Sequence, residues 1–259
     1  MIASIAGDII GSVHERANIK RTTFTLFKSH SRFTDDTVMT LAVAECLLRG
    51  REYGPTMREF GRRYPDRGYG GMFRKWLADP NKGPYQSFGN GSAMRVSPIG
   101  FAMRTLDDVE SEARRSALPT HDHPEGIKGA QALAVAVFLA RKGKDKRAIR
   151  DAIEARYGYD LRRHIDKIRR GYAFDVTCQG SVPEAIIAFL DSHDVESAIR
   201  LAISLGGDAD TLAAMAGAVA QAFYKKVPEA IVAEVERRLT PELWALTQEF
   251  CQRFDVAYV

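Results

Sequence analysis

Asp208–Ala220, with the sequence DADTLAAMAGAVA, joins an acidic start to a run of small apolar residues. Asp and Thr at the start of a helix accept hydrogen bonds from free backbone N–H groups, and the helix dipole favours negative charge there. Small side chains on most faces allow neighbouring helices to pack closely around such a segment. We therefore predict a central buried helix whose N-terminus directs the carboxylates of Asp208 and Asp210 towards the middle of the molecule.

A second acidic cluster, Thr34–Thr37 (TDDT), precedes another apolar segment, Val38–Leu48. The two clusters are either the caps of two unrelated helices or the halves of one site. If they meet, each close pair of carboxylates repels by about 4 kcal/mol at an effective dielectric constant of about 20. A helix dipole contributes only about 0.3–1 kcal/mol, so divalent cations are needed to hold four carboxylates together.

The residue types of these clusters indicate which cations would bind. All the candidate ligands are carboxylate or hydroxyl oxygens, and neither cluster contains Cys or His. Hard oxygen ligands favour Mg²⁺ or Mn²⁺ over Zn²⁺. The pattern typical of a Ca²⁺ loop, with alternating Asp or Asn and a closing Glu, is absent from the sequence.

The composition predicts one domain that covers residues 1–259. With 45% hydrophobic residues the chain can bury a sizeable core, and no low-complexity linker divides it. The formal net charge of +4 comes from scattered Lys and Arg. The densest basic stretch, Arg141–Arg147, has no interleaved aromatic residues, so we interpret it as a solvated connection between helices and not as a nucleic-acid site. A monomer is the default expectation.

Nothing in the sequence indicates export or a membrane span. Its three Cys residues form no CxxC pair, which argues against a disulfide framework and a zinc site. The N-terminal segment lacks a basic start and contains Asp8, so it is a poor signal peptide. The longest apolar run, Ala132–Ala140, is too short to cross a bilayer. We expect a soluble protein of a reducing cytoplasm.

Helical periodicity prevails along almost the whole chain, so we predict an all-α fold. Only Thr22–Leu26 has the pattern of a strand, and it is too short and isolated to build a sheet. The predicted helices are residues 1–13, 36–49, 55–64, 70–78, 91–103, 108–117, 123–141, 146–156, 160–170, 182–191, 194–205, 210–224, 228–238 and 241–253.

The first predicted helix carries two further carboxylates. The spacing of Asp8 and Glu15 predicts that they lie two turns apart on one helical face. Gly7 and Gly11 allow a neighbouring helix to approach the backbone closely. Taken alone, Glu15 is more often an exposed carboxylate at a helix end.

The segment Gln86–Arg95 contains a glycine-rich turn. Its backbone N–H groups, around Gly89, Asn90 and Gly91, can surround an anion at the start of the following helix. The segment is not a Walker loop, because no Gly-Lys-Ser/Thr follows. Alone, such a turn more often only initiates a helix.

Two other motifs indicate helix starts. Thr120–Glu125 (THDHPE) places two histidines beside a proline, without the spacing of zinc proteases, so we expect capping or a ligand contact and not a metal site. Ser181, two residues before Pro183, fits a capped helix start.

Taken together and in this order, these segments resemble the ADP-ribosylglycohydrolase family. Most specific is the combination of both aspartate clusters with Gly89–Arg95 (GNGSAMR), and the resemblance spans nearly the whole chain. One departure is Ala209, where many members of the family carry Thr or Ser between the aspartates. The matching residues are Gly7, Asp8, Gly11, Ser12, Glu15, Thr34–Thr37, Gly89–Arg95, Thr120, His121 and Gly206–Thr211.

The resemblance implies an orthogonal bundle of helices with a centre of two Mg²⁺ ions, or Mn²⁺, and a substrate that carries ADP-ribose. Glu15 would lie beside the centre as an acid, a base or a gate. The implied metal ligands are Thr34, Asp35, Asp36, Asp208, Asp210 and Thr211. The residues implied to contact the pyrophosphate and distal ribose are Ser87, Phe88, Gly89, Asn90, Gly91 and His121.

The implied reaction is hydrolysis of the glycosidic bond between ADP-ribose and a protein side chain or another acceptor. It needs a positioned water and a group that handles a proton. Glu15 is the candidate for the carboxylate that transfers the proton, because the four aspartates would be bound to metal ions. The acceptor stays open between arginine, serine, a nucleic-acid base and a small metabolite. Acceptor choice is expected to depend on loops, with residues 20–32 and 64–84 as the candidates.

Two other functional classes remain as alternatives. One is a different dinuclear metallohydrolase, such as a phosphoesterase, which usually adds histidine ligands. The other is a non-catalytic member, either an ADP-ribose-binding module or a structural protein like the crystallins that resemble this family. The retained acidic residues Glu15, Asp35, Asp36, Asp208 and Asp210 argue against the second alternative.

Overall fold

A computed structural model describes residues 1–258, which form fifteen helices and no strand. The helices are α1 (Ile2–Gly11), α2 (Asp35–Arg49), α3 (Tyr53–Arg63), α4 (Gly71–Ala78), α5 (Gly91–Met94), α6 (Ser97–Ala102), α7 (Leu106–Ala117), α8 (Pro124–Arg141), α9 (Lys146–Tyr157), α10 (Ile165–Gly171), α11 (Cys178–Leu190), α12 (Val195–Ser204), α13 (Ala209–Tyr224), α14 (Glu229–Arg238) and α15 (Pro241–Arg253). The predicted all-α fold is confirmed. Within the described residues, Gly89 and Thr177 form one isolated β-bridge.

Helix α13 lies at the centre of the fold, as its small side chains predict. It is buried from Ala209 to Ala222 and packs against α1, α8, α11 and α12. The contact with α1 is made by backbone: a Cβ atom on Gly7 would lie 2.2 Å from the carbonyl oxygen of Ala213. A glycine inside a helix costs about 1 kcal/mol relative to alanine. Here it permits a helix-to-helix contact that no other residue allows.

Three helix ends meet as a result of this packing. A Cβ atom on Gly11, the last residue of α1, would lie 2.3 Å from the Cα atom of Asp210 in the first turn of α13. The start of α2 is bonded to the same end of α1, because the backbone N–H of Thr34 donates to Asp8 at 2.9 Å. The packing of α1 therefore brings the two acidic clusters together.

The predicted helix over residues 91–103 is two helices. α5 ends at Met94 and α6 begins at Ser97, with Pro98 in its first turn. Proline has no N–H to continue the hydrogen-bond ladder of a preceding helix, but it is tolerated in a first turn. The chain therefore turns at Arg95 and Val96 before it resumes a helix.

The prediction that a helix begins at residue 182 is wrong. α11 begins at Cys178, where the Thr177 hydroxyl accepts from the N–H of Gly180 at 3.1 Å, so Pro183 lies inside the helix. Ser181 does not cap; its hydroxyl donates to the carbonyl of Thr177 at 2.6 Å. A threonine cap one turn upstream thus sets the boundary.

Helix α10 also begins later than predicted, at Ile165, because the ring of His164 accepts from the N–H of Asp166 at 3.3 Å. No helix within residues 1–258 combines the length and the apolar character that crossing a membrane requires.

Candidate metal and ligand site

The two acidic clusters meet in the interior, so the alternative of two unrelated capped helices is wrong. The Thr211 hydroxyl, at the start of α13, donates to Oδ2 of Asp36, at the start of α2, at 3.3 Å. Asp8, Asp36 and Asp210 each offer a carboxylate oxygen, and these oxygens lie within 4.8 Å of one another. All three residues are buried. The arrangement gives a cluster of oxygen ligands that can hold a metal ion.

Asp8 holds the start of α2 in place. Its two oxygens accept from the N–H and hydroxyl of Thr34, at 2.9 and 2.6 Å, and from the N–H of Thr37, at 3.2 Å. The Thr37 hydroxyl donates to it as well. Because these four bonds occupy both oxygens, Asp8 orients the segment that carries Asp35 and Asp36. The sequence motif that contains Asp8 did not indicate this role.

The aspartates of the cluster are held without positive partners. Burial raises the pKa of Asp36 well above its ordinary value, and repulsion from Asp8 and Asp35 adds to the effect. Burial also raises the pKa of Asp210 well above its ordinary value, with repulsion from Asp208 as the next cause. Within residues 1–258, no Lys, Arg or His nitrogen lies within 4.0 Å of these carboxylates. Buried carboxylates of this kind favour a bound cation.

A tight turn positions Asp208 between the cluster and the glycine-rich loop. Gly206 and Gly207 both have positive φ angles, +73° and +72°, which allow the chain to turn sharply before α13. The side-chain amide of Asn90 donates to Oδ2 of Asp208 at 2.7 Å. Burial raises the pKa of Asp208, although hydrogen bonds from neighbouring side chains oppose the shift.

The cluster opens into a cavity of about 780 Å³, a volume typical of small-molecule sites. All the predicted site residues except Phe88 line this cavity. They are Glu15, Thr34, Asp35, Asp36, Ser87, Gly89, Asn90, Gly91, His121, Asp208, Asp210 and Thr211.

Phe88 lies outside the lining of the cavity. Its side chain is 44% exposed, and its ring centroid lies 5.3 Å from that of His123. Phe88 is therefore not a core residue. Other large apolar side chains are exposed at the cavity itself, namely Met72, Phe174 and Val176. Together they form an apolar rim that can cover part of a bound molecule.

Glu15 lines the cavity, but it does not share a helical face with Asp8. Helix α1 ends at Gly11, and Glu15 follows in an irregular turn. The prediction of a common helical face is therefore wrong. Asn18 fixes the turn, because its side-chain amide donates to the carbonyls of Glu15 and Gly207, at 2.7 and 3.3 Å. Burial, and then the charge of Asp208, raise the pKa of Glu15.

The glycine-rich loop is fastened to the segment that precedes α11. The N–H of Asn90 donates to the carbonyl of Val176 at 2.7 Å, and the N–H of Cys178 donates to the carbonyl of Phe88 at 2.9 Å. Gly91 leaves room for an imidazole, because a Cβ atom there would lie 3.2 Å from Nε2 of His121. The loop and His121 thus form one wall of the cavity.

The two neighbouring histidines have different surroundings. His123 caps α8, since its ring accepts from the N–H of Glu125 at 3.1 Å. His121 is buried, with Nδ1 2.7 Å from the Thr120 hydroxyl. Neither belongs to the group of described residues that can hold a metal ion.

The segment 67–73 forms the opposite wall; from the sequence it was predicted only as part of a loop, residues 64–84, that determines the choice of acceptor. The N–H of Asp35 donates to the carbonyl of Arg67 at 2.8 Å. Gly68 has a φ of +98°, and a Cβ atom on it would lie 3.3 Å from Oδ1 of Asp35. In the sequence, only the glycines of this segment indicated a close approach of its backbone to other residues. Arginines also line the cavity, namely Arg16, Arg32, Arg67 and Arg95.

Comparison with known proteins gives a consistent result. A sequence model of a family described as ADP-ribosylglycohydrolase matches residues 1–258. The chain is 31% identical to ADP-ribosylhydrolase ARH3 of Mus musculus, over 76% of this chain and 71% of that protein. It is 28% identical to ADP-ribosylhydrolase ARH3 of Xenopus tropicalis, over 98% of this chain and 95% of the relative. A solved structure called an ADP-ribosylglycohydrolase-related protein complex superposes with a TM-score of 0.70 and 28% identity, covering 97% of this chain and 96% of that one.

Proposed function

The chain belongs to the ADP-ribosylglycohydrolase family, and we propose that it hydrolyses the glycosidic bond that joins ADP-ribose to a protein side chain or another acceptor. One observation carries the proposal. Two acidic helix starts, 175 residues apart in sequence at Asp36 and Thr211, converge on a cavity that Glu15 also lines. An all-oxygen cluster beside a cavity large enough for a nucleotide sugar suits a metal-assisted hydrolase.

The residues present fit a pair of Mg²⁺ or Mn²⁺ ions. The ligand atoms are hard oxygens, and the buried Oδ1 of Asp36 has no hydrogen-bond partner among the described residues. When bound, such ions orient hydroxyl groups and polarise bound water. The residues proposed to hold them are Thr34, Asp35, Asp36, Asp208, Asp210 and Thr211.

Glu15 is proposed to handle the proton of the reaction. It faces the cavity from a turn outside the aspartate cluster, so its carboxylate is not among the proposed metal ligands. As water attacks the anomeric carbon, the bond from that carbon to the acceptor breaks. Glu15 takes the proton of the water and returns one to the departing acceptor. A carboxylate whose pKa is raised by burial suits this exchange.

The wall formed by the glycine-rich loop and His121 is proposed to hold the part of the substrate away from the reacting bond. Ser87, Gly89, Asn90 and Gly91 offer polar and backbone groups along one side, with His121 behind them. Hydrogen-bond donors in a glycine-rich turn suit a pyrophosphate. Phe88, on the same loop but outside the lining, is proposed to contact the exposed end of the ligand.

Release of ADP-ribose from a panel of ADP-ribosylated substrates tests the proposal. The panel contains serine-linked and arginine-linked peptides, an ADP-ribosylated nucleic acid and an acylated ADP-ribose, each with Mg²⁺, with Mn²⁺ and with a chelator. We expect release from at least one linkage, dependent on the metal ion. No release from any of them would contradict the proposed function.

The variant Glu15→Gln separates binding from chemistry. We expect it to bind ADP-ribose as the wild type does and to lose at least about 100-fold in kcat, the usual contribution of a positioned acid or base. Glu249→Gln is the matched control, since Glu249 is exposed and pairs with Arg49 on the surface. Unchanged turnover in Glu15→Gln would remove Glu15 from the mechanism and leave the proposed activity standing.

A further inference from the structure

Arg95 is a buried cation without an acidic partner. Its side chain is 0% exposed, and its Nη2 donates to the carbonyl of Ser116 at 2.8 Å and to the Thr120 hydroxyl at 3.1 Å. Both acceptors are neutral. Because a buried charge is costly when only neutral groups compensate it, an arginine at this position calls for a reason beyond packing.

The hydrogen bonds of Thr120 determine where the proton of His121 lies. A guanidinium only donates, so one lone pair of the Thr120 hydroxyl accepts from Arg95. The same hydroxyl lies 2.7 Å from Nδ1 of His121. A proton on Nδ1 would make Thr120 accept twice and would leave its own O–H unpaired in a fully buried place. Without that proton, Thr120 donates to Nδ1, and both the hydroxyl of Thr120 and Nδ1 of His121 are paired.

We propose that Arg95, acting through Thr120, is a positioning residue that holds His121 in the tautomer with its proton on Nε2. The ring then presents one N–H donor towards the cavity beside the glycine-rich loop. The two glycines leave the space for this donor: Cβ atoms on Gly89 and Gly91 would lie 3.7 and 3.2 Å from Nε2.

Burial and the charge of Arg95 both favour the neutral form of the ring. Burial lowers the pKa of His121 well below its ordinary value, and the nearby guanidinium lowers it further. A neutral His121 with its proton on Nε2 is then a hydrogen-bond donor to an acceptor oxygen. That this oxygen belongs to ADP-ribose rests on the proposed function, whereas the tautomer does not.

The tautomer is measured directly on the full-length wild-type protein by long-range ¹H–¹⁵N NMR of its imidazoles. The signals of His121 are assigned by their loss in His121→Gln. We expect Nδ1 to resonate as an unprotonated nitrogen and Nε2 as a protonated one, with no change between about pH 8 and about pH 6. A protonated Nδ1, or averaged shifts like those of a freely exchanging imidazole, would overturn the proposal.

Substitutions at Thr120 test the effect on binding. Thr120→Val removes the hydroxyl at similar size, Thr120→Ser keeps it, and Thr56→Val is the control for loss of another buried threonine hydroxyl. We expect Thr120→Val to weaken ADP-ribose binding, measured by calorimetry, and to raise KM by about five- to tenfold with a smaller effect on kcat. Thr120→Ser should restore both, and Thr56→Val should change neither.

The two proposals fail separately. A Thr120→Val protein that keeps the wild-type tautomer and affinity would overturn the role of Arg95 and Thr120, whatever the protein hydrolyses. Absence of turnover on every ADP-ribosyl substrate, together with an unprotonated Nδ1 in the wild type, would overturn the proposed function alone. The tautomer is read from the wild-type spectrum, and His121→Gln serves only to assign its signals.

Discussion

Asp36 is buried among several other carboxylates, which repel its negative charge. Its Oδ1 has no partner in the described structure, while its Oδ2 accepts from Thr211. We expect Asp36→Asn to raise the melting temperature of the metal-free protein by roughly 2–8 °C, or about 1–2 kcal/mol. This gain is smaller than the repulsion of about 4 kcal/mol in a close charged pair, because the raised pKa of Asp36 already favours its neutral form. The same variant should lose the stabilisation by Mg²⁺ that we expect of the wild type. Thermal unfolding with a chelator and with Mg²⁺ measures both effects.

The control for this experiment is Glu236→Gln, which removes a carboxylate from the exposed side of α14. It should leave the melting temperature and its response to Mg²⁺ as in the wild type. If Asp36→Asn responds to Mg²⁺ as strongly as the wild type does, Asp36 is not a ligand.

His14 is buried in the turn that carries Glu15. Its side chain is 1% exposed, neither ring nitrogen has a hydrogen-bond partner among the described residues, and its ring packs edge-on against Phe24 at 5.1 Å. Burial, and then the charge of Lys28, lower the pKa of His14 below its ordinary value of 6.5. The folded protein thus binds this proton less readily than the unfolded chain. The stability from His14 is complete above the unfolded pKa and is lost progressively as the pH falls from that value through the lower folded pKa.

We therefore expect His14→Leu to reduce the fall in melting temperature between about pH 7.5 and about pH 5.5, the range in which an unfolded histidine becomes protonated. His193→Leu is the comparison, because the side chain of His193 is 83% exposed. Equal pH profiles for wild type and His14→Leu would show that His14 does not titrate on unfolding.

The chemistry of single residues was predictable to the extent that it depends on residue type. The two clusters of aspartate and threonine, Thr34–Thr37 and Asp208–Thr211, offer only oxygen ligands, which indicates Mg²⁺ or Mn²⁺. The structure brings side chains of the two clusters together. Where a side chain points was not predictable. The ring of Phe88 packs beside that of His123. Glu15 lies beyond the end of α1, because a turn held by Asn18 follows Gly11. Such details depend on contacts between distant segments.

Helix boundaries also differ in how well the sequence predicted them. The predicted bounds of α15, which Thr240 caps, match the structure, whereas α11 begins four residues before the predicted start because Thr177 caps it. The contribution of segment 67–73 to the cavity had no local signal beyond its glycines, since its position depends on a bond from Asp35 to Arg67.

The contact between α1 and α13 sets the spacing of the site. Gly11→Ala would place a methyl group 2.3 Å from the Cα atom of Asp210, so the two helices must separate. We expect a loss of about 1–3 kcal/mol in the free energy of unfolding, typical of overpacking. We also expect weaker Mg²⁺ binding, because Asp210 moves away from Asp36. Chemical denaturation and metal titration measure the two effects.

Gly171→Ala is the matched control, since a Cβ atom there meets nothing within 4 Å. It should change neither stability beyond the difference in helix propensity nor metal affinity. If Gly11→Ala loses stability and keeps wild-type affinity for Mg²⁺, the spacing of α1 and α13 does not control the cluster.

The proposed metal centre would join parts of the chain that are far apart in sequence. Its ligands begin α2 and α13, and Asp8 of α1 holds the first of these starts. A ligand that binds only the folded state stabilises it by RT ln(1 + [L]/Kd), or about 2.7 kcal/mol at 100 times Kd. Because the two helix starts supply one site, Mg²⁺ should protect both from local opening at the same concentration.

Hydrogen–deuterium exchange with increasing Mg²⁺ tests this coupling. We expect amides 36–39 and 210–214 to exchange more slowly as Mg²⁺ is added, with one shared midpoint, because loss of either cluster opens the site. The helix α9 (Lys146–Tyr157) is the internal control, since none of its residues lines the cavity and its exchange should not respond. Protection of only one cluster, or two separate midpoints, would show that the acidic helix starts bind cations independently and that the two ends of the chain do not share a metal centre.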